Sequence, residues 1–489
     1  MKDTSQLQIF KDFDGYSPKY HFFKNSLFGQ IHDSLPWEEL ASLLPKENMG
    51  PGAPKWFDAQ GMFALMFLKA YLNVSDRQLI ERFNTDYSLQ MFCGKLLAED
   101  RQIRDTTILT RVRKYIEEHC EWERIQAVLL EHWKRDVNNS HVLLMDATCY
   151  ESYIRFPTDV KLLWESCHWV FEKQLFRLCR ILKIKRPRSK YTEQKRRQLA
   201  YFRKRRNTYR ETKRRRESLV YLLGKGLKQL QEVLDMSRAE CMGPEDFSRL
   251  RTVKKVLVQQ TFLLDHAPEE LKDRIVSLHK PYVRPIKRGK ENKPVEFGMK
   301  AHMLQVDGIS FLDAMSFKSF NETTRLKLSV LKHSALFGRT SQLGADRIYA
   351  TNANRRYCTG NKIFASFPKK GPKKRSRAEK VLAGEIARQR ATVMEGVFGT
   401  HKDHYGLRKI KVSGEKREKL MVLFAAMAAN AVKIAKRKQE KPPESTRAAC
   451  SGNTSNLLSW DNCARTPKSR GKPHDKIINC PFTGPNCTA

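Results

Sequence analysis

Residues 141–152 read HVLLMDATCYES. Four apolar residues, Val142 to Met145, lead up to Asp146, and Glu151 follows shortly after. A short apolar run of this kind reads as a buried strand, which sets Asp146 where the run stops. A carboxylate in apolar surroundings loses hydration and stays charged only with a cation, hydrogen bonds or a metal. The ordinary use of an isolated Asp is a turn or a cap. A shared site requires acidic partners elsewhere in the chain.

The 489 residues suffice for two or three domains, each with its own core. Lys and Arg number 92 against 53 Asp and Glu, a formal charge of +39, and a polyanionic partner is the leading explanation of that imbalance. No amphipathic terminal helix or lipidation signal supports a membrane surface instead. The first residues, MKDTSQLQIF, have no signal-peptide apolar region. The longest apolar run, Leu420 to Val432, is too short to span a bilayer and reads as a buried helix. The 11 Cys form no CxxC pair, which fits reduced thiols rather than a disulfide framework. These features predict a cytoplasmic, nucleoid-associated protein without a membrane partner.

The apolar spacing divides the chain. Residues 1–135 read as a helical N-terminal domain for DNA binding or dimerisation. Within it, the turn Asn73 to Asp76, with Ser75 or Asp76 as N-cap, precedes a helix containing Leu79, Ile80 and Phe83, a helix-turn-helix-like arrangement. Residues 136–160 begin a second domain, 161–280 form a long basic helical insertion, and 281–440 complete the second domain. Between 181 and 220 there are 17 Lys or Arg against Glu193, Glu211 and Glu217, interleaved with Tyr191, Tyr201, Phe202 and Tyr209. So many like charges on one helix repel unless an anion neutralises them. Phosphate backbone supplies that anion and the aromatics suit unpaired bases, with Arg203, Lys204, Arg205 and Arg206 as the densest run; a charged hairpin bridging two domains is the alternative. From 295 the period becomes two, and Asp307-Gly308 marks a hairpin turn. Residues 441–489, rich in Ser, Asn, Pro and Gly, read as a disordered tail.

Asp346 repeats the opening pattern, since LGADRIYA (343–350) places it within or at the end of another short strand. Two such Asp on neighbouring strands would share metal ions, and hard oxygen ligands select Mg²⁺ or Mn²⁺. Glu395 offers a third carboxylate. It is flanked by Arg388 and Lys402, each seven residues away, so all three share a face if the helix is continuous.

Four ordered blocks carry a resemblance: DATCYESYIRFPTDVKLLWE (146–165), PYVRPIKRGKENKPVEFGMKAHMLQVDGISFLDAMSF (281–317), ADRIYATNANRRYC (345–358) and RATVMEGVFGTHKDHYGLRKI (390–410). They are similar to successive blocks of bacterial insertion-sequence transposases of the DDE type, and 56–97 resembles that group's N-terminal domain. The resemblance covers roughly residues 30–435. It implies an α/β catalytic domain of ribonuclease-H-like type, a mixed sheet with flanking helices, with Asp146, Asp346 and Glu395 as an acidic triad for two metal ions. Lys402 matches the family's Lys downstream of the Glu; Arg390 is the nearest match to its upstream Arg, one residue farther from Glu395 than that pattern has it. The implied activity is cleavage and transfer of DNA strands at the element's ends by a homodimer or higher assembly. A catalytically inactive DNA-binding relative and a nuclease without strand transfer are the alternatives.

Other residues compete for these roles. Asp307 and Asp313 are alternative second acids, although the Asp307-Gly308 turn explains the first. Glu151 and Asp159 are candidate neighbours of Asp146. His401 and His404 are candidates for DNA or water contact, with a structural role the plainer reading. Cys450, Cys463, Cys480 and Cys487 lack zinc-ligand spacing.

Overall fold

The computed structural model describes residues 18–45, 55–98, 100–236, 242–287, 294–370 and 375–440. The tail 441–489, with its four Cys, lies outside the described residues.

Six strands form one mixed sheet: β1 (Val142–Glu151), β2 (Arg284–Lys287), β3 (Val295–Val306), β4 (Ile309–Ser316), β5 (Gln342–Gly344) and β6 (Phe364–Ala365). One edge of β3 pairs antiparallel with β1, and its other edge pairs first with β2 and then with β4. The far edge of β1 pairs parallel with β5, which pairs parallel with β6. The hairpin expected at Asp307-Gly308 joins β3 to β4, with φ of 48° and 81° at the two turn residues. Gly and Asp tolerate that left-handed conformation, which matches the strand twist. The short strands β2 and β6, four and two residues long, carry no periodic signal in the sequence. Asp146 proves to lie in the middle of β1 rather than at its end, because Thr148, Cys149 and Tyr150 continue the buried strand past it.

Helices cover this sheet. In the N-terminal region, α1 (Pro18–Asn25), α2 (Leu27–Asp33) and α3 (Trp37–Ser42) precede α4 (Ala59–Leu72), α5 (Asp76–Thr85) and α6 (Tyr87–Phe92), followed by α7 (Ile108–His119) and α8 (Trp122–Trp133). Ser75 caps α5 in a capping box with Gln78, and Leu79, Ile80 and Phe83 are buried as the spacing predicts. Every residue of α4 from Gly61 to Leu68 is buried, so this helix is surrounded rather than displayed. It shares one core with the sheet and with the C-terminal helix.

Beyond α8 the described helices are α9 (Asp159–His168), α10 (Phe176–Ile181), α11 (Tyr191–Arg203), α12 (Tyr209–Met236), α13 (Pro244–Asp265), α14 (Leu326–Phe337), α15 (Asn352–Gly360), α16 (Arg377–Gln389), α17 (Glu395–Asp403) and α18 (Glu415–Glu440). The apolar run from Leu420 is the buried centre of α18. Two side-chain amides stand in for a neighbouring strand along the outer edge of β4. Gln126 of α8 exchanges hydrogen bonds with the backbone of Leu312 (2.8 and 2.7 Å), and Asn430 of α18 does so with Ser310 (2.7 and 3.0 Å). An edge whose backbone groups are satisfied in this way cannot template another strand.

Helices α9 to α13 build a second core around Leu163, Phe171, Leu219, Leu223, Leu230 and Val253. The stretch 169–175 between α9 and α10 is π-helical. At Gly226 of α12 a Cβ would stand 2.6 Å from the ring of Phe171, so the close approach of the two segments requires glycine. The basic stretch is not one helix: α11 ends at Arg203 and α12 starts at Tyr209. Several of its residues serve the fold. Arg215 is buried and donates to Gln198 Oε1 (2.7 Å) and the Gln194 carbonyl (2.9 Å), and Tyr191 is buried against Trp164 and Phe171.

A buried ion pair joins the insertion, β1 and α18. Lys280 and Glu418, 1% and 0% exposed, meet at 2.8 Å. Glu418 also accepts from Ser152 Oγ (2.5 Å) and Tyr282 OH (2.7 Å), and Lys280 also donates to the Ile410 carbonyl (2.9 Å). Every polar atom of the pair therefore has a partner where β1 leaves the sheet.

Candidate active site

Strand pairing sets the height of the two aspartates. β1 and β5 run parallel with Leu144 opposite Gly344, and Asp146 and Asp346 each lie two residues farther on. Asp146 is paired with Met303 of β3 on one side, and β5 pairs with β1 up to Leu144, two residues before it. Asp346 has left β5 and caps the short 3-10 turn Arg347–Tyr349, so it stands past the strand rather than within it. Each carboxylate accepts from the next backbone N–H, Asp146 from Ala147 (2.8 Å) and Asp346 from Arg347 (2.6 Å).

One guanidinium spans the pair: Arg390 Nη1 is 2.8 Å from Asp146 Oδ2, and Nη2 is 4.0 Å from Asp346 Oδ1. Burial pushes the Asp146 carboxyl above its usual range; the Ala147 N–H and Arg390 pull it down, while Asp346 and Glu322 push it up again. Burial prevails, so this carboxylate is short of positive charge even with Arg390 beside it. The carboxylates of Asp146 and Asp346 are hard oxygen donors of the kind a divalent cation takes.

Glu322 carries no signal of its own in the sequence, since a Glu opening a helical turn is ordinary. Its charge reaches Asp146 and also Tyr349, and Lys300 of β3 pairs with it at 3.2 Å. Thr148 was legible from the strand period, two residues on from Asp146. Its Oγ1 accepts from Lys402 Nζ at 3.2 Å, which brings the matched Lys to β1. Beneath Asp346, Tyr349 OH meets His302 Nε2 at 2.8 Å, and His302 Nδ1 meets Asp313 Oδ2 at 3.0 Å. That chain fastens the 3-10 turn to β3 and β4.

The extra residue between Arg390 and Glu395 has a structural counterpart. Residues Arg390–Met394 form a π-helical turn between α16 and α17. Five α-helical steps leave two residues roughly 140° apart around the axis. A π turn closes its hydrogen bonds five residues apart and returns residue i+5 close to the face of residue i. The same turn breaks the continuous stripe expected of Arg388, Glu395 and Lys402. Arg388 points elsewhere, paired with Glu385 at 2.7 Å and 71% exposed, whereas Glu395 and Lys402 remain on one unbroken helix, α17.

Asp146, Asp346 and Arg390 thus come together, with Lys402 nearby on Thr148. Glu395 is exposed at the start of α17, and among the described residues no three His, Cys, Asp or Glu side chains are gathered to hold one metal. Arg203, Lys204, Arg205 and Arg206 are all exposed at the junction of α11 and α12, with Lys204 paired to Glu211 at 2.6 Å.

The competing residues have structural partners. Asp307 Oδ2 accepts from the Asn138 N–H (3.0 Å) and Arg437 (3.2 Å). Asp313 is buried with His302, Arg325 and Ser329 around Oδ2, and these hydrogen bonds and charges outweigh burial to hold its carboxyl well below the usual range. Asp159 binds Arg274 (2.6 Å) and Gln260 (2.9 Å) within the insertion, and the backbone carbonyl of Glu151 accepts from Ile410 (2.8 Å). His401 is fully buried against Tyr150 OH (2.8 Å), and burial takes its pKa down to about 3; His404 is exposed. Cys93, Cys120, Cys149, Cys167, Cys179 and Cys358 are buried and form no disulfide. No described helix is long and apolar enough to cross a membrane.

No curated protein and no solved structure matches the chain. Residues 17–115, the segment containing α1 to α6 and most of α7, match the family model described as a transposase domain (DUF772), a match that supports the insertion-sequence transposase that the ordered blocks resemble.

Proposed function

We propose that the chain is a transposase of the DDE type, which binds the ends of an insertion sequence and catalyses metal-dependent cleavage and transfer of DNA strands. The observation that carries this reading is the parallel β1 and β5 pair, which sets Asp146 and Asp346 level with each other and within reach of one cationic group. A mixed sheet with helices against it is compatible with the ribonuclease-H-like domain that the resemblance implies. The transposase domain itself implies DNA as the partner.

In this reading Asp146, Asp346 and Glu395 hold Mg²⁺ or Mn²⁺, as two ions. The ions would supply Lewis-acid activation of water or a DNA 3′-hydroxyl and stabilise the leaving oxygen of the phosphodiester. The chain's own residues do the positioning. β1 fixes Asp146, which a loop would hold less rigidly, and the Tyr349, His302 and Asp313 chain fixes the turn that Asp346 caps. Arg390 balances the carboxylates and, with Lys402, faces the DNA phosphates, whereas Arg388, paired with Glu385, is turned away from them. Exposed Arg203, Lys204, Arg205 and Arg206 extend the phosphate track along the insertion. Joining two ends to a target requires a homodimer or higher assembly.

The test incubates purified full-length protein with labelled element ends and Mg²⁺. Nicked and joined products are expected, and D146N should form neither. Nicking without joining would identify a nuclease, and end binding without any product would identify an inactive DNA-binding relative.

A further inference from the structure

Residues Tyr153 to Pro157, YIRFP, leave β1 and run between the sheet and the insertion. All five residues line a cavity of about 290 Å³, and Ile154, Phe156 and Pro157 also line a cleft of about 980 Å³. Scattered exposed apolar side chains need no explanation, but here two aromatic rings, Tyr153 (59% exposed) and Phe156 (72% exposed), bracket Arg155, whose side chain is 88% exposed.

The segment is anchored. The Tyr153 N–H donates to the Ile410 carbonyl (2.8 Å), Ile154 packs against the main core, and Phe156 meets the edge of Phe297 with ring centroids 6.0 Å apart. Ile410 bridges to Ser152. Its neighbours divide between the two hollows, Lys411 lining the smaller and Lys409 the larger. Around the smaller cavity stand Arg155, Lys161 and Lys411, with His279, against one carboxylate, Glu165. Arg155 lies 3.7 Å from Glu165, so that acid offsets one of the cations.

Exposed π faces held beside an excess of cations are the combination that binds unpaired nucleic acid: the cations take the phosphates, and the rings take bases of any sequence. We infer that the YIRFP segment and the cavity beside it form a binding site for an unpaired DNA strand, in which a base stacks on Phe156 or Tyr153 while Arg155, Lys161 and Lys411 hold its phosphates. The site lies seven residues beyond Asp146, a distance of about 23 Å along an extended strand. It shares the DNA partner of the reading above but none of its catalytic assignments, so the two fail separately.

The experiment compares full-length protein on a single-stranded DNA of about 12 nucleotides and on the matching duplex, by fluorescence anisotropy, with photocross-linking from 5-iododeoxyuridine and peptide mapping. Phe156→Ala should weaken the single strand by about 5- to 150-fold and leave the duplex nearly unchanged. Phe156→Trp should restore binding, Tyr153→Ala should act in the same direction as Phe156→Ala, and cross-links should fall within residues 153–165 or 409–411. Equal loss on both DNAs, no loss on either, or cross-links confined to other segments would overturn the assignment. A change in sedimentation of DNA-free Phe156→Ala would also overturn it, by making the patch a contact between copies of the chain.

Discussion

Lys280→Met isolates the strongest structural commitment near the end of β1. The substitution fills much of the lysine's volume but leaves Glu418, 0% exposed, without its cation. Ser152 and Tyr282 still donate to Glu418, yet two neutral donors do not replace a charge in a site closed to water. Removing one member of a buried pair costs about 3–5 kcal/mol, far more than the pair contributes over an apolar replacement of both members. For about 400 cooperatively unfolding residues at roughly 2.1 cal/mol/K each, that loss lowers the melting temperature by about 4–6 °C. The assay is thermal and urea unfolding of the wild type, Lys280→Met, and Lys280→Met with Glu418→Gln. The second change removes the stranded charge while keeping an acceptor for a hydroxyl, so it should recover most of the loss. A cost below about 1 kcal/mol for Lys280→Met, or no recovery in the double variant, would refute the reasoning from burial.

The acids, the phosphate contacts, a buried histidine and the π turn give further expectations. Asp146→Asn, Asp346→Asn and Glu395→Gln should each keep the fold and DNA binding and abolish Mg²⁺-dependent cleavage in a gel assay, with combined variants no worse than single ones; cleavage that survives Asp346→Asn misplaces the second acid. Replacing Arg203, Lys204, Arg205 and Arg206 by Ala should flatten the slope of log affinity against log salt by up to about 3–4 on duplex DNA, and an unchanged slope means they face solvent. His401, with a folded pKa of about 3, binds fewer protons folded than unfolded, so its contribution is full above the unfolded value near 6.5 and is lost as pH falls toward 3. Its share of the slope is at most about 1.4 kcal/mol per pH unit, and His401→Gln should remove it in unfolding titrations. Deleting Ala391 should turn the π turn into an α turn with cleavage retained, whereas inserting one Ala after Thr392 should rotate Arg390 away from Glu395 by about 100° and abolish cleavage.

Local signals were legible where one segment carried them. The Asp307-Gly308 turn, the Ser75 cap and the apolar centre of α18 each rest on residues adjacent in the chain, and each appears where the sequence puts it. The height of Asp346 beside Asp146 was half legible, because two apolar runs ending in Asp suggest two strands while only the parallel register makes them level. What escaped notice depends on distant partners. Lys300 reaches Glu322 only through the pairing of β3; Gln126 and Asn430 are ordinary helix residues until the edge of β4 lies against them. The basic stretch misled for a related reason. Charge density does not distinguish an Arg that meets phosphate from Arg215, which binds two glutamines inside the insertion.

The spacing of Arg390 and Glu395 shows why a motif counted in residues and a motif measured in space diverge. Counting one residue too many against the family pattern argues that Arg390 is misplaced. An α-helix would agree, since it carries the fifth residue to a different side. The π turn from Arg390 to Met394 absorbs the additional residue over one loop of backbone, so Arg390 still reaches Asp146 while α17 begins afresh at Glu395. A π turn is rare, and it gives up part of the regular α-helical hydrogen bonding. Its position beside the two aspartates, rather than elsewhere along α16 and α17, places that cost where the direction of one guanidinium matters most.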